Sequence, residues 1–372
     1  MTNPRVTPRG LRIVILGLTI TSSWGNGHAT TYRGLVRGLA RRGHRILFLE
    51  RDKPWYAANR DLPSPPDGQT ALYDSPADLA GHYAAAIEAA DLVIVGSYVP
   101  DGIEVGRLVQ RRAAGVTAFY DIDTPVTLAA LAEGSCEYLS ADLVSGYDLY
   151  LSFTGGPTLD ELERRWHSPA ARPLYCSADP TIYYPTPGTR PRWDLGYLGT
   201  YSPDRQPTLD ALLCAPARAW PEARFVVAGP LYPDNLAWPA NVERIEHLSP
   251  AEHRDFYAAQ RFTLNVTRAD MIRRGHSPSV RLFEAACCGV PIISDWWPGL
   301  DELFEPGAEI LVARDTAEAL ELIRSTPQTT RQAIGEAART RVLAAHTADH
   351  RAVQLEDYAF EALRTQRRRV PA

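Results

Sequence analysis

The stretch Ser277-Pro278-Ser279-Val280-Arg281-Leu282-Phe283-Glu284-Ala285-Ala286-Cys287-Cys288-Gly289-Val290-Pro291-Ile292-Ile293-Ser294-Asp295 decides the fold. It reads as a helix start, a short helix with one inward carboxylate, a glycine stop and a buried strand. A helix N-terminus offers free N–H groups and a positive dipole end, which suit a diphosphate. Glu284 falls about one and a half turns in, where a carboxylate accepts hydrogen bonds from a ribose diol. One helix would then read both the phosphates and the sugar of a nucleotide. The same spacing also fits an ordinary αβ unit with a solvated Glu.

Working outward, the same rhythm runs along the chain. Arg12–Gly17 is a short apolar run ending in Gly, the pattern of a strand buried on both faces. A polar loop, Thr19–His28, precedes a helix over 30–43 and a strand over 44–50, which together make a βαβ unit. Helices are predicted over 77–90, 104–114 and 158–166, with strands over 92–96, 117–121, 149–153 and 172–176. A Pro-rich stretch, 180–191, reads as a linker. Alternation then restarts, with strands over 194–199, 224–229, 242–245, 263–266 and 291–294. Helices over 208–219, 251–259 and 317–325 lie among and after them, and helices over 330–344 and 347–365 finish the chain. The expected class is α/β, with two doubly wound parallel sheets facing across a cleft. The expected division is 1–187 and 188–346, with 347–365 returning to the first unit. Ligands of such sheets bind at the carboxyl ends of the strands, so the cleft is the natural site.

The 372 residues carry a formal charge of −5, which argues against general nucleic-acid binding. Lys53 is the only lysine, so an anion site must use arginine or backbone N–H groups. The five cysteines are odd in number and none has C-x-x-C spacing, which favours buried thiols over disulfides or zinc. The run Ile13–Ile20 is too short to span a bilayer. The N-terminal residues lack a leader pattern. These features predict a cytoplasmic protein with at most peripheral membrane contact.

Three motifs carry a resemblance. Tyr175-Cys-Ser-Ala-Asp179-Pro-Thr-Ile-Tyr-Tyr-Pro185 resembles the run that closes the first domain of GT-B glycosyltransferases. Gly196-Tyr-Leu-Gly199-Thr-Tyr-Ser-Pro-Asp-Arg205 resembles the segment that opens their second domain and supplies phosphate-binding cations. Ser277–Pro291 resembles their donor helix. Within that superfamily the chain is most similar to the spore-maturation-protein (CgeB-like) group, related to the retaining family-4 transferases. The resemblance implies donor binding by Gly199, Arg205, Ser279, Val280, Arg281 and Glu284, with His247 near the base. Arg205 stands where the family has lysine. Thr200 stands where it has arginine, and Arg273, Arg274 or Arg281 would replace the missing cation. His276 takes the place of the first donor-site Glu, so the sugar half of the site departs from the family.

The loop Ser23-Trp24-Gly25-Asn26-Gly27-His28 follows the first strand, and its glycines permit close backbone approach. His28 titrates near neutral pH and is a candidate base. Inverting plant-type enzymes of this fold place such a histidine here and an aspartate partner after a later strand. Asp121 and Asp123 end the strand that would supply it. A histidine that caps the first helix or binds the acceptor is the alternative. Asp121-x-Asp123 also looks like a metal motif, but in this fold arginines and helix dipoles usually meet phosphate charge, so no metal or cofactor is expected. Trp24, Asn26, Gly27, Asp123 and Trp296 are candidates for the acceptor or sugar side. Adjacent tryptophans at 296 and 297 need a packing partner, whether a ligand or the core.

The sequence thus predicts a glycosyltransferase using a nucleoside diphosphate sugar as co-substrate. Its acceptor, a small molecule, a glycan or a lipid-linked compound, is not named by the residues. A nucleotide-sugar epimerase and a catalytically weak sugar-nucleotide binder are the rivals. A dehydrogenase reading rests on Glu50 as a ribose acid at the end of the second strand, without the glycine fingerprint.

Overall fold

In the computed structural model, which describes residues 10–25 and 27–369, long apolar runs become strands because both faces are covered by helices. β1 (Arg12–Gly17) and β4 (Leu92–Gly96) show the pattern, with every residue after Arg12 buried. The first sheet also contains β2 (Arg45–Arg51), β3 (Gln69–Tyr73), β5 (Val116–Asp121), β6 (Leu149–Ser152) and β7 (Ala171–Pro173). Its order is β3-β2-β1-β4-β5-β6-β7. The second sheet contains β8 (Trp193–Leu198), β9 (Phe225–Ala228), β10 (Val242–Ile245), β11 (Gln260–Asn265), β12 (Ile292–Ser294) and β13 (Leu311–Val312). Its order is β10-β9-β8-β11-β12-β13. All the strand pairs in both sheets are parallel.

Strand order reverses direction between β1 and β4 and again between β8 and β11. A crevice opens at such a switch point. The two crevices face each other, and the loops after β1, β5, β8 and β11 line the space between them.

Several boundaries differ from the sequence pattern for local reasons. β3 is an edge strand in which only Tyr73 is buried, so it lacks the long apolar run of the central strands. The helix expected over 77–90 breaks at Tyr83 into Pro76–His82 and Ala84–Ala89. The helix expected over 208–219 begins at Gln206 and contains a π turn, Asp210–Cys214, before its last turn.

The chain returns to the first sheet through its last two helices, Gln328–Ala345 and Ala348–Arg369. The turn between them is held by Ala178, whose N–H donates to the His346 carbonyl at 3.3 Å and whose carbonyl accepts from Ala348 N at 2.9 Å. The last helix lies on the first helix, His28–Arg41. Close approach depends on Gly34 and Gly38: a Cβ on Gly38 would stand 2.9 Å from the Ala352 Cβ. Arg351, almost fully buried, donates to the Tyr175 carbonyl at 3.0 Å. At the exposed end, Arg42 pairs with Glu356, and His44 meets the same carboxylate at 3.2 Å.

Gly38→Leu is expected to force the last helix off the first. Overpacking of this kind costs about 1–3 kcal/mol. Thermal unfolding should show the loss, and limited proteolysis should cut the turn near His346 faster than in the native protein.

Candidate functional site

The cleft between the sheets has a volume of about 440 Å³. Its first wall is the loop after β1 and the start of the first helix. That loop is pinned from behind by Glu50, which accepts from the N–H groups of Ile20 and Thr21 at 2.8 and 3.0 Å and from the Thr21 hydroxyl at 2.7 Å. Glu50 is fully buried in this role. It is therefore part of the loop's support and is not presented to a ribose, which removes the basis of the dehydrogenase reading.

His28 is the first residue of its helix and is partly buried on the cleft wall. Its ring lies parallel to that of Tyr98, at 6.4 Å, and edge-on to Phe153. Burial lowers its pKa below the usual histidine value, and the charge of Asp123 partly opposes this. The imidazole is therefore neutral, and able to accept a proton, through the physiological range.

The carboxylate acting on His28 is Asp123, not Asp121. Asp121 is fully buried. It accepts from Tyr150 at 2.5 Å, Thr127 at 2.8 Å and the Asp123 N–H at 3.2 Å. The expected His28–Asp121 pair is thus corrected: Asp121 is the last residue of β5 and is held in the sheet packing, while Asp123 lies past the strand's end, just before the helix Thr124–Glu133, and reaches the cleft. For the same reason the two do not form a pair of carboxylates on the cleft wall. Asp123 accepts from the Tyr98 hydroxyl at 3.0 Å and lies 3.8 Å from Arg268.

The second wall is built around the helix Val280–Cys287. Its preceding residue, Ser279, makes no side-chain cap bond. The Ser279 hydroxyl instead donates to Asn265 Oδ1 at 2.7 Å, and the same oxygen accepts from Arg281 Nη1 at 2.8 Å. The first N–H groups of the helix are left without a side-chain acceptor, beside the cleft. Arg281 also donates to the Leu198 carbonyl and lies over the Tyr197 ring at 4.6 Å. Arg205 donates to the Thr200 carbonyl at 2.6 Å, and its Nε has no hydrogen-bond partner among the described residues. Glu284 is buried at the cleft floor. It accepts from Thr30 at 3.3 Å and Tyr257 at 3.2 Å and lies 3.6 Å from His253 Nδ1.

Residues 205–357 match the model of a family described as glycosyl transferase-like. No curated protein matches the chain. Sucrose-phosphate synthase from Thermosynechococcus elongatus superposes with a TM-score of 0.66 at 15% identity, covering 94% of this chain and 98% of its own. Anabaena HepE, solved with UDP and glucose, gives 0.69 at 12% identity, covering 94% and 99%. AviGT4, a glycosyltransferase involved in avilamycin A biosynthesis, gives 0.61 at 14%, covering 95% and 98%. The fold is GT-B.

The GT-B cleft gathers Gly27, His28, Asp123, Gly199, Arg205, His247, Ser279, Val280, Arg281 and Glu284 on its walls. Other residues expected there lie elsewhere. His276, with a positive φ of 49°, sits at the joint between the two halves. Its N–H donates to the Pro298 carbonyl, its carbonyl accepts from Gly155 N, and its ring meets Glu302 at 3.2 Å. It is not on the cleft wall. Trp296 is exposed away from the cleft, and Trp297 is fully buried in the core. Ser23 and Gly25 line the cleft, but Trp24 between them does not. Asn26 lies outside the described residues.

Tyr98 and Arg268 were not singled out in the sequence. Both stand just past the end of a parallel strand, β4 and β11, where doubly wound sheets place ligand contacts. That position was the available signal. Among the described residues, no helix is long and apolar enough to cross a membrane.

Burial raises the Asp121 pKa to about 6, against the opposing bonds from Tyr150 and Thr127. A folded-state pKa above the unfolded one means that the native state binds this proton more tightly. The contribution to stability is present below about pH 4 and is lost as pH rises through 6, by roughly 3 kcal/mol. Asp121→Asn mimics the protonated form. Its unfolding free energy is expected to lack that fall between pH 4 and 6, as checked by denaturant titrations across the interval.

Proposed function

We propose that the chain is a glycosyltransferase that moves a sugar from a nucleoside diphosphate sugar to an acceptor in the GT-B cleft. The observation that carries this reading is the pairing of unlike walls. An uncapped helix start flanked by Arg205, Arg268 and Arg281 faces a neutral histidine beside a carboxylate. The family match over residues 205–357 spans most of the cationic wall and supports a transferase. HepE, of the same fold, was solved with UDP and glucose, which supports a UDP-type donor. The three motifs noted above support kinship with the CgeB-like group.

In this reading the second sheet's unit, 188–346, holds the donor. The first unit, 1–187 with the returning helix 347–365, holds the acceptor. Helix N–H groups and guanidinium forks take the negative charge that develops on the diphosphate as it leaves. These groups supply the charge complement, and no further cofactor is invoked. Glu284 accepts from the ribose diol. His28 takes the proton of the acceptor hydroxyl as that oxygen bonds to the anomeric carbon and the bond to the diphosphate oxygen breaks. Asp123 stabilises the imidazolium formed. A base on the face opposite the leaving group gives inversion at the anomeric carbon. The acceptor is a small molecule, a glycan or a lipid-linked compound met in the cytoplasm. The net negative charge disfavours nucleic acid.

Calorimetry with UDP, GDP and TDP tests the donor half. Arg205→Ala is expected to weaken diphosphate binding much more than uridine-type nucleoside binding. Glu284→Gln is expected to cost about 1.5–3 kcal/mol for nucleoside and diphosphate alike, from loss of a charge-assisted hydrogen bond. If none of the three nucleotides binds, the transferase reading is wrong.

The acceptor half is tested by His28→Ala. Turnover should fall about 10²–10⁴-fold while donor affinity stays nearly unchanged. Turnover within a few-fold of native, or a product that retains the donor's anomeric configuration, would remove the base assignment and leave the retaining mechanism of the family-4 relatives.

A further inference from the structure

Among the described residues, Arg268 has no hydrogen-bonded carboxylate partner. It lines the cleft about a third exposed, and its Nε has no hydrogen-bond partner among the described residues. Its guanidinium stands 3.6 Å from Asp204, on its own side, and 3.8 Å from Asp123, on the other. Both distances are ion-pair contacts longer than a hydrogen bond. A guanidinium with five donors and no close acceptor, in a cleft with an uncapped helix start, is available to an incoming anion.

Asp123, by contrast, is fixed. Tyr98 donates to its Oδ2 at 3.0 Å, and its own N–H donates to Asp121 Oδ1 at 3.2 Å. Tyr98 holds this position with a backbone φ of 62°, a strained conformation for a bulky residue. Its ring also packs on Tyr138 at 4.7 Å. So one side of the Asp123 ion pair is rigid and the other is loose.

We infer that Arg268 couples the two halves of the cleft: the diphosphate of the donor draws it away from Asp123, and the freed carboxylate then acts on His28. The inference rests on the proposed donor site and adds an order of events to it. Without donor, Arg268 screens Asp123 and His28 is a weak base. With donor bound, the same Asp123 charge, held in place by Tyr98, favours the imidazolium. A general base that strengthens only when the donor is present reaches the acceptor hydroxyl at the useful moment.

The charged and titratable groups facing His28 are few enough to separate. Tyr98 and Asp123 come from its own half. Arg205, Arg268, Arg281, Glu284, His247, His253, Tyr201 and Tyr257 line the cleft across from it. A bound diphosphate also raises the His28 pKa by its own field, so the test must distinguish that direct effect from the coupling.

Nuclear magnetic resonance of the full chain with isotope-labelled histidine reads the His28 pKa directly, the resonance being assigned by its loss in His28→Gln. UDP is expected to raise it by about one unit in the native protein, and uridine is expected to leave it unchanged. Arg268→Gln should start above the native ligand-free value and gain from UDP only the smaller rise that the diphosphate's own field gives. Asp123→Asn should start at or below the native ligand-free value and show with UDP only the smaller rise that the diphosphate's own field gives. Arg268→Lys, which keeps the charge, should restore part of the UDP response. An equal rise in the native protein and both neutral variants, or an unchanged starting value in Arg268→Gln, overturns the coupling. If UDP binds and the native shift is missing, the coupling alone fails. If neither UDP nor inorganic pyrophosphate binds, the donor site and the coupling fail together.

Discussion

The double hydrogen bond accepted by Asn265 Oδ1 organises the second wall. By taking the Ser279 hydroxyl, it leaves the start of the helix Val280–Cys287 uncapped. By taking Arg281 Nη1, it fixes a buried guanidinium beside that start. The amide's other end donates to Ser294 at 2.9 Å and Thr267 at 3.3 Å, so the ends of β11 and β12 and the loop after β11 are tied to the same point. A serine that capped its own helix would be worth about 1 kcal/mol. Here that local stabilisation is given up, and the exchange leaves helix N–H groups without a side-chain acceptor beside the cleft.

The same helix also joins the two halves of the molecule. Leu282, Phe283, Ala286 and Cys287 belong to a core cluster that includes residues of β1, β4, β5 and β6. Phe283 stacks on His346 at 5.0 Å, and Cys287 donates to the Tyr183 carbonyl. Cys176, after β7, donates to the Pro278 carbonyl. The helix Val280–Cys287 is thus placed by packing from both sides. Its N-terminus faces the cleft because its C-terminal turns are buried in the joint. His276 belongs to this joint too. A Cβ on Gly156 or Gly299 would meet its ring at 2.4 Å, so both glycines are needed for it to fit.

The sheets were legible because parallel strands buried on both faces write themselves as apolar runs, as in Arg12–Gly17 and Leu92–Gly96. The edge strand Gln69–Tyr73 was not, since an edge exposed to solvent carries no such run. The π turn at Asp210–Cys214 and the break at Tyr83 leave no periodic signature either. The last helix was recognisable by its apolar stripe, but its seat on Gly34 and Gly38 shows only when the two helices are brought together. In the cleft, residues within one contiguous segment were readable: the structure brings Ser279, Val280, Arg281 and Glu284 to one wall as their helical spacing implied. Pairings between distant strands were not. Nothing in Asp121-x-Asp123 says which carboxylate faces the cleft until β5 is placed between β4 and β6. His276 was assigned by alignment with a motif, and the turn through Gly275 that gives it a positive φ moves it off the wall.

The two walls differ in how their charges are held. Behind the first, Asp121 is surrounded by Tyr150, Thr127 and the Asp123 N–H, and Glu50 by the loop it supports. These buried carboxylates have fixed partners and act as structure. The second wall presents Arg205 and Arg268 with donors left over, while Arg281 is held through its Nε and Nη1. Unsatisfied buried donors cost stability in the empty protein. An anionic ligand that accepts from them removes that cost, and the gain appears as affinity. The cleft is therefore least satisfied where the diphosphate is proposed to sit. It is most rigid where the acceptor would be deprotonated, and Arg268 and Asp123 are the pair through which the two regions meet.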